Sequence, residues 1–306
     1  MNEKTNPRRT NGRHACFLGL MILAAAVIHR PLAVVVESSV AVDQYSQVLL
    51  VAPIGGLFLY LERRKIFAKV ANSLVGGGMY LACLGAFAYV DWHSGTMDPS
   101  NFISASVLLF VLACIAAFLF CYGVAALRAG SFPLFFLLLL TPLPDGLRER
   151  IISFLQSGSA LVTAWLFTAA GVPFRRDGVV LTLPLVTIEI AEECSGIRSS
   201  MVLFLVCLVL GYLYLKSRWS RLALMVWLVP LTIIKNGVRI FTLCMLGMYV
   251  NRSFLTGSLH HHGGFVFFGL AFLALWAGVW VLQRIEARTA DAPPPNRGVV
   301  VNEKAL

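Results

Sequence analysis

The sequence predicts an all-α polytopic membrane protein with about eight transmembrane helices and a short extracytoplasmic extended segment. Only 13% of its 306 residues are charged and 58% are hydrophobic, whereas soluble domains carry about 25% charged residues. The mean hydropathy is +0.79. Several apolar runs approach or exceed the roughly 18 to 20 residues that a helix needs to cross a bilayer. The remaining sequence is too short for a large soluble domain.

The charge distribution indicates membrane topology rather than a charged ligand. The chain carries 25 Lys and Arg against 15 Asp and Glu, a net charge of +10. The excess lies beside the apolar runs, where the positive-inside rule assigns it to the cytoplasm. No soluble basic domain is visible that could bind nucleic acid, so we expect no nucleic-acid partner.

The cysteines single out one position. The seven cysteines form neither a CxxC pair nor a zinc-ligand spacing, so they predict no zinc site. Six of them lie within apolar runs, where a thiol behaves as a small hydrophobic group. Only Cys194 has charged neighbours, which favour the reactive thiolate.

Residues 15–128 are predicted to form an N-terminal region of four membrane helices, after a basic cytoplasmic segment at 1–14. Such a start is also typical of a signal peptide, but this apolar run is long and lacks a small-residue cleavage site, so we expect a retained helix. The links alternate between basic and acidic, which assigns the basic links and the N-terminus to the cytoplasm. The four helices are expected at 16–36, interrupted by His29 and Arg30, at 48–61, at 70–90, where Gly76, Gly77 and Gly78 allow close helix approach, and at 103–127.

Residues 129–285 form the second predicted membrane region, which begins with two apolar segments of different length. As twelve helical residues, 132–143 cover only about 18 Å. This is too little for the roughly 30 Å hydrocarbon core, so we expect a re-entrant or half-buried segment. Residues 151–171 are long enough to be the fifth crossing. In the alternative arrangement the first segment spans and the second lies on the outer surface; either one places residue 172 outside. The second segment carries a polar stripe of Ser153, Gln156, Ser157, Ser159 and Thr163.

A short extended element outside the membrane is predicted next. Residues 175–178, with the sequence RRDG, are a turn signal, and residues 179–190 are rich in β-branched side chains around a central proline. Three further crossings return the chain to the cytoplasm, where the proline-rich tail at 286–306 is predicted to be disordered. These crossings are expected at 201–215, 222–234 and 265–282.

Three polar islands interrupt the apolar sequence of the second region, at 192–199, 235–239 and 260–264. Polar groups beside or within membrane helices are costly, so they mark functional sites by default. The positive-inside rule puts all three islands at the outer ends of late crossings. We therefore expect them to meet at one face of the membrane.

The islands contain the groups of a cysteine-based acyl-transfer site. Cys194 precedes a predicted helix, whose N-terminal end favours a thiolate. Arg198 or Arg239 adds positive charge and donors for a developing oxyanion, and a histidine is the usual base beside a thiol. Each group also has an ordinary explanation. These are a structural thiol for Cys194, a snorkelling side chain for Arg239, an interfacial turn or adventitious metal ligand for the histidines, and a solvated loop for Glu192 and Glu193.

Three motifs stand out in these islands, namely CSGIRS at 194–199, NGVR at 236–239 and a histidine ahead of GFVFF at 264–268. They resemble the motifs of the exosortase/archaeosortase family, whose members are polytopic, transpeptidase-like proteases of bacterial inner membranes and archaeal cell membranes. The resemblance covers residues 100–285 and is strongest over 190–268. It implies a cysteine peptidase or transpeptidase that processes C-terminal sorting signals of the PEP-CTERM type, each a short motif, one transmembrane helix and a basic tail.

The resemblance also implies roles for individual residues. Cys194 would attack the scissile carbonyl and form a thioester, Arg239 would steady the thiolate or the oxyanion, and His260, four residues before Gly264, would act as acid or base. The resemblance implies no cofactor and no metal. The alternatives to His260 are His261 and His262, and the supporting candidates are Arg198 and Asn236.

The implied partners are exported proteins with such signals, the lipid bilayer and exopolysaccharide-assembly proteins. The implied location is the cell (inner) membrane, with both termini in the cytoplasm and the site on the extracytoplasmic face.

Two other classes stay open. CAAX-type glutamate-dependent membrane proteases carry Glu-Glu-x-x-x-Arg, but here four residues separate Glu193 from Arg198, so the motif misses by one; a Cys194→Ser variant would leave such a protease largely active. A polytopic transporter or a polysaccharide-assembly component would also use intramembrane polar groups, although no paired broken helices or inverted repeat is visible. Its cysteine would have no reason to react unusually with a thiol-directed probe.

Overall fold

The computed structural model describes residues 7–41, 48–184, 186–190, 196–251 and 264–290, and most of these residues are α-helical. Short 3-10 helices lie at Ser94–Thr96 and Leu137–Leu140. The α-helices of the described ranges are α1 (Pro7–Val27), α2 (His29–Ala41), α3 (Val48–Ile66), α4 (Leu74–Trp92), α5 (Pro99–Ala129), α6 (Ser131–Phe136), α7 (Asp145–Ala169), α8 (Ile197–Tyr214), α9 (Arg218–Tyr249) and α10 (Gly264–Ala290).

The described helices confirm the predicted all-α polytopic class. In these ranges 6 helices are long and apolar enough to cross a membrane, namely α4, α5, α7, α8, α9 and α10. The count rises to 7 if α1 and α2 are taken as one span, although they bend by 81° at their junction. The predicted number of about eight also included α3. This helix has 19 residues but carries Arg63, Arg64 and Lys65 in its last turn, so its apolar part is short.

The bend between α1 and α2 falls beside His29 and Arg30, where the sequence predicted an interruption. Pro31 has no N–H to donate to the carbonyl of Val27, so the helical hydrogen-bond pattern is broken there. The ring Nδ1 of His29 donates instead to the carbonyl oxygen of Ala26, 3.0 Å away. The apolar run is therefore bent rather than straight.

The described residues divide into two compact units. The first unit comprises the residues up to Ser157, from α1 to the first half of α7, together with the start of α8 up to Val202. The second unit comprises residues 158–190 and the described residues from Leu203 onward.

Glycines shape the packing of α4 and α5 in the first unit. A Cβ on Gly76 would overlap the backbone of Phe120, which confirms the predicted close helix approach. Helix α5 is broken at Gly123, where φ is 81° and ψ is 177°. The N–H groups of Ala71 and Ser73 donate to α5 carbonyl oxygens at this break, over 3.1 and 3.2 Å. A Cβ on Gly123 would lie 2.5 Å from the carbonyl oxygen of Ala71, so glycine is required there.

The two segments differ in length as expected. Residues Ser131–Leu140 form a short apolar helix, which is shorter than a bilayer crossing. Helix α7 has 25 residues and meets the requirements of a span. The short helix packs against α3 in the first unit, where the ring centroids of Phe58 and Phe132 are 5.4 Å apart.

The predicted extended element is a three-stranded antiparallel sheet in the second unit. Its order is β1 (Arg175–Asp177), β2 (Val180–Thr182) and β3 (Thr187–Glu189). The turn after β1 contains Gly178 at φ 59°, so the RRDG sequence supplies both a strand and its turn. Leu181 is fully buried and Ile190 is 1% exposed, which anchors one face of the sheet.

The second unit also contains a bundle of α8, α9 and α10. The carboxylate of Glu286, near the end of α10, accepts hydrogen bonds from the N–H groups of Lys216 at 3.1 Å and Ser217 at 2.8 Å. Since Lys216 and Ser217 form the turn between α8 and α9, helices α8 and α10 both end beside this turn and begin at the opposite end of the bundle. The core of the bundle includes the fully buried Leu203, Leu224 and Leu275.

Candidate active site

Arg239 lies inside α9 rather than at the end of a helix. The sequence predicted a crossing that ends near residue 234, but α9 has 32 residues and continues to Tyr249. At 1.5 Å per residue, Arg239 is about 31 Å along the axis from Arg218. This matches the roughly 30 Å thickness of a hydrocarbon core. Arg239 is therefore about one membrane-core thickness from the α8–α9 turn, and the helix extends beyond it.

The first turn of α8 is closed by a glycine of the CSGIRS motif. Gly196 has φ 75°, which glycine adopts without strain. Its carbonyl oxygen accepts the N–H of Ser200 at 2.9 Å and the hydroxyl of Ser199 at 3.0 Å. Helix α8 begins at the next residue, and Arg198 is exposed in its first turn. The N–H groups of this turn and the positive end of the helix dipole therefore lie within the motif, directly after Gly196.

The predicted nucleophile and the predicted bases lie outside the described residues. These are Cys194 and the three histidines, His260, His261 and His262, and the same holds for Glu192 and Glu193. Helix α8 starts three residues after Cys194, and α10 starts at Gly264, two residues after His262. Their roles stay predictions.

Asn236, the first residue of the NGVR motif, is held by α7 in the second unit. It is 1% exposed, and its Nδ2 donates to the hydroxyl of Ser159 at 3.0 Å. The hydroxyl of Thr163 donates to the carbonyl oxygens of Ser159 at 2.7 Å and Gly237 at 3.2 Å. Ser159 and Thr163 are both fully buried. These hydrogen bonds fix the height and rotation of α9 relative to this part of α7.

Gly237, the second residue of the motif, allows the two helices to approach closely. A Cβ there would lie 2.6 Å from Val162 Cγ1, 2.7 Å from Val162 Cβ and 3.2 Å from the carbonyl oxygen of Ser159. One turn away, a Cβ on Gly158 would lie 3.0 Å from Ile233. Small residues from both helices thus form the contact, as is common between membrane helices.

Two cationic side chains lie one turn apart on α9. Lys235 is only 7% exposed, and Arg239 follows it at the i+4 position. Two residues after Arg239, the ring centroid of Phe241 lies 5.2 Å from that of Phe167, which is fully buried. Arg239 is half-buried, and its guanidinium is always charged and supplies donors for developing negative charge.

The structure therefore brings together part of the predicted site. Asn236 and Arg239 lie on consecutive turns of α9, and α7 supports that stretch. Ser159 and Thr163 were not among the predicted site residues. Their signal was the polar stripe of the 151–171 segment, but nothing in the sequence indicated which helix it faces. Among the described residues, no group of three or more His, Cys, Asp or Glu side chains could hold a metal ion.

Comparison with known families identifies the chain. The family model described as transmembrane exosortase matches residues 37–277, which is more than half of the 306 residues. The chain belongs to the transmembrane exosortase family. The resemblance inferred from the three islands is thereby confirmed, and family membership indicates a membrane sorting transpeptidase. No curated protein and no solved structure matches the chain.

Proposed function

We propose that this exosortase-family protein is a membrane-embedded cysteine transpeptidase that cleaves C-terminal sorting signals of exported proteins through a thioester on Cys194. The observation that carries the proposal is the family match, because residues 37–277 contain all three polar islands in order. The buried support of the NGVR motif is consistent with it, since a catalytic arginine needs a fixed position.

The proposed reaction uses one residue from each island. The Cys194 thiolate attacks the scissile carbonyl carbon and forms a tetrahedral intermediate, whose oxyanion Arg239 stabilises. The intermediate collapses as the C–N bond breaks, and His260 donates a proton to the leaving amine. A thioester between Cys194 and the exported protein remains. Water, an amine or a sugar hydroxyl then attacks the thioester, and the neutral histidine accepts its proton. The C–S bond breaks, which releases the Cys194 thiolate and the transferred acyl group. His261 and His262 are the alternatives for this role.

The proposed site lies on the extracytoplasmic face, with both termini in the cytoplasm. The basic links assign the turn at Lys216, Arg218 and Arg221 to the cytoplasm, and Arg239 lies about 31 Å away from it along α9. In this orientation the transmembrane helix of a substrate would dock laterally within the bilayer, with its scissile bond near the outer interface.

Co-expression with a tagged protein that carries a motif, helix and basic tail from the same genome tests the proposal. Wild type is expected to shorten the tagged protein. Cys194→Ala should reduce the rate by at least about 10³-fold, as loss of a covalent nucleophile usually does. Cys83→Ala is a matched control, because this thiol lies on α4 in the first unit and has no proposed role.

The same assay assigns the remaining residues and separates the alternatives. Arg239→Ala and one of the three single His→Ala variants should lose most of the activity, and that histidine is then the acid or base. Processing that persists in Cys194→Ala at matched expression contradicts the cysteine mechanism and favours a glutamate-dependent protease. A transporter or assembly component is favoured if wild type does not process the tagged protein and if Cys194 shows no enhanced reactivity towards a chloroacetamide probe.

A further inference from the structure

Among the described residues, the three-stranded sheet has an unpaired edge at β3. Strand β3 is the last strand in the order β1-β2-β3, so only one of its two edges is paired. Thr187 and Glu189 are both exposed. An unpaired strand edge is a template for another extended chain, unless the protein covers it.

Two hydrogen bonds fix the direction of the backbone groups of β3. The N–H of Ile190 donates to the carbonyl of Val179 at 3.2 Å, and the N–H of Leu183 donates to the carbonyl of Val186 at 2.9 Å. Backbone groups of alternate residues point to the same side of a strand. Residues 186, 188 and 190 therefore face β2.

The backbone groups of Thr187 and Glu189 consequently point to the outer edge. Within the part of the chain that the structure describes, no hydrogen bond joins their N–H or carbonyl groups to another residue. The opposite edge of the sheet, at β1, has fewer outward-pointing backbone groups. In β1 only the groups of Arg176 point outward, because Arg175 and Asp177 face their partners in β2.

The sheet holds this edge rigidly. Side chains on one face are anchored by Leu181, which is fully buried, and by Leu183 at 4% and Ile190 at 1% exposure. The other face, with Thr182, Thr187 and Glu189, is exposed. A peptide added to β3 would thus gain a fixed ladder without reorganisation of the strand, which is the usual basis of β-strand addition.

Four residues, 190–193, join β3 to the CSGIRS motif. Cys194 is five residues beyond Glu189, and five extended residues span at most about 18 Å. A peptide bond that a nucleophile attacks must be accessible, which an extended peptide provides and a helix does not, because helical amides are hydrogen-bonded within the helix. A peptide paired with β3 would therefore be extended within reach of Cys194.

We propose that the outer edge of β3, formed by the backbone groups of Thr187 and Glu189, binds the extended segment of the substrate polypeptide that precedes its membrane helix. The peptide pairs as a fourth strand and is recognised largely through its backbone. This inference rests on the proposed function, since it assigns a binding surface for the same reaction.

Cysteine crosslinking tests this pairing without catalysis. Thr187→Cys or Glu189→Cys is introduced into the Cys194→Ala background, which keeps the substrate uncleaved. The partner is the tagged sorting-signal protein of the activity assay, with single cysteines at successive positions before its helix. Arg176→Cys on the opposite edge is the matched control, and the Cys194→Ala background alone gives the baseline from the native thiols.

We expect disulfide crosslinks from Thr187→Cys and Glu189→Cys at alternate substrate positions, at least tenfold above those from Arg176→Cys. The two-residue period is the signature of a paired strand. Equal crosslinking from Arg176→Cys contradicts the proposal. So does absence of crosslinks when wild type cleaves the same substrate in a Cys194-dependent manner; in that case the proposed function stands and the docking surface alone is wrong.

Proline variants give a second, kinetic test. Thr187→Pro and Glu189→Pro each remove an outward N–H and leave the pairing with β2 intact. Loss of one such bond should lower kcat/KM about tenfold, whereas Arg176→Pro, which also removes an outward N–H, should change it less than twofold. Unchanged kcat/KM in both β3 variants contradicts the proposal. A thermal midpoint in detergent close to that of wild type shows that the variants are folded.

Discussion

A methyl group at position 237 tests the contact between α7 and α9. In Gly237→Ala the new Cβ would lie 2.6 and 2.7 Å from Val162 Cγ1 and Cβ, and 3.2 Å from the carbonyl oxygen of Ser159. Carbon atoms in contact prefer about 3.5 to 4.0 Å, so the helices must separate by roughly 1 Å. Rotation of one side chain cannot relieve the clash, because Val162 Cβ is itself attached to the backbone.

Two opposing effects determine the magnitude. Forced overpacking costs about 1–3 kcal/mol, while replacing glycine by alanine within a helix stabilises by about 1 kcal/mol. The net loss should be about 0–2 kcal/mol, which lowers the thermal midpoint by up to about 6 °C. Activity should fall further, about 10²-fold, because a shift of about 1 Å in α9 displaces Arg239.

The assays are thermal unfolding in detergent and processing of the tagged sorting-signal protein. Gly211→Ala is the matched control, since this glycine is also buried in a helix but its Cβ would meet Leu224 at 3.7 Å, an ordinary contact. The control should be neutral or slightly stabilised and fully active. In the Gly237→Ala background, Val162→Gly should restore more activity than Val162→Ala, because alanine retains the Cβ at 2.7 Å. Gly237→Ala with wild-type stability and activity would refute the close contact.

Three further perturbations follow from the hydrogen bonds and glycines described above. Gly123→Ala should lower the free energy of unfolding by at least about 2 kcal/mol, measured as a lower thermal midpoint, because its φ is 81° and a Cβ would lie 2.5 Å from the Ala71 carbonyl. Ser159→Ala and Asn236→Ala should each lower the free energy of unfolding by about 1–2 kcal/mol. The double variant should lose less than the sum of the two, because each substitution removes the same hydrogen bond. Glu286→Gln should cost about 1 kcal/mol in thermal unfolding, since an amide cannot accept both N–H groups of the α8–α9 turn.

For Gly123 the control is Gly85→Ala, where a Cβ meets nothing within 4 Å; equal midpoints in the two variants would contradict the break in α5. Strict additivity of Ser159→Ala and Asn236→Ala would mean that the two side chains act separately. For Glu286 the control is Glu149→Gln on α7, and a larger loss there would contradict the role of the turn.

The fold class was predictable because it depends on composition and on the length of apolar runs. The helix boundaries in the second region were less so. Lys235 and Arg239 suggested the outer end of a crossing, yet α9 continues to Tyr249 because packing accommodates the buried part of the island. Charge along a sequence indicates where burial is costly, and it does not show where a neighbouring helix compensates for that cost.

The candidate site shows the same division. The polar stripe that includes Ser159 and Thr163 was visible as a periodic pattern, but its contact with Asn236 joins residues 77 positions apart and has no local signal. The φ of 75° that Gly196 adopts as the cap of α8 required the structure. Cys194 and the histidines were selected by chemistry and resemblance, and their roles stay predictions.

The hydrogen bonds of Glu286 join the three helices of the α8–α9–α10 bundle at one end. The three helices are joined at one end, α8 to α9 by the chain and α10 by this carboxylate, so their relative motion is largely a tilt about that end. At about 31 Å from the pivot, a tilt of only about 2° would displace Arg239 by about 1 Å. The hydrogen bond between Ser159 and Asn236 lies far from this joined end and close to Arg239. At that distance a single hydrogen bond restrains the tilt of α9 most effectively.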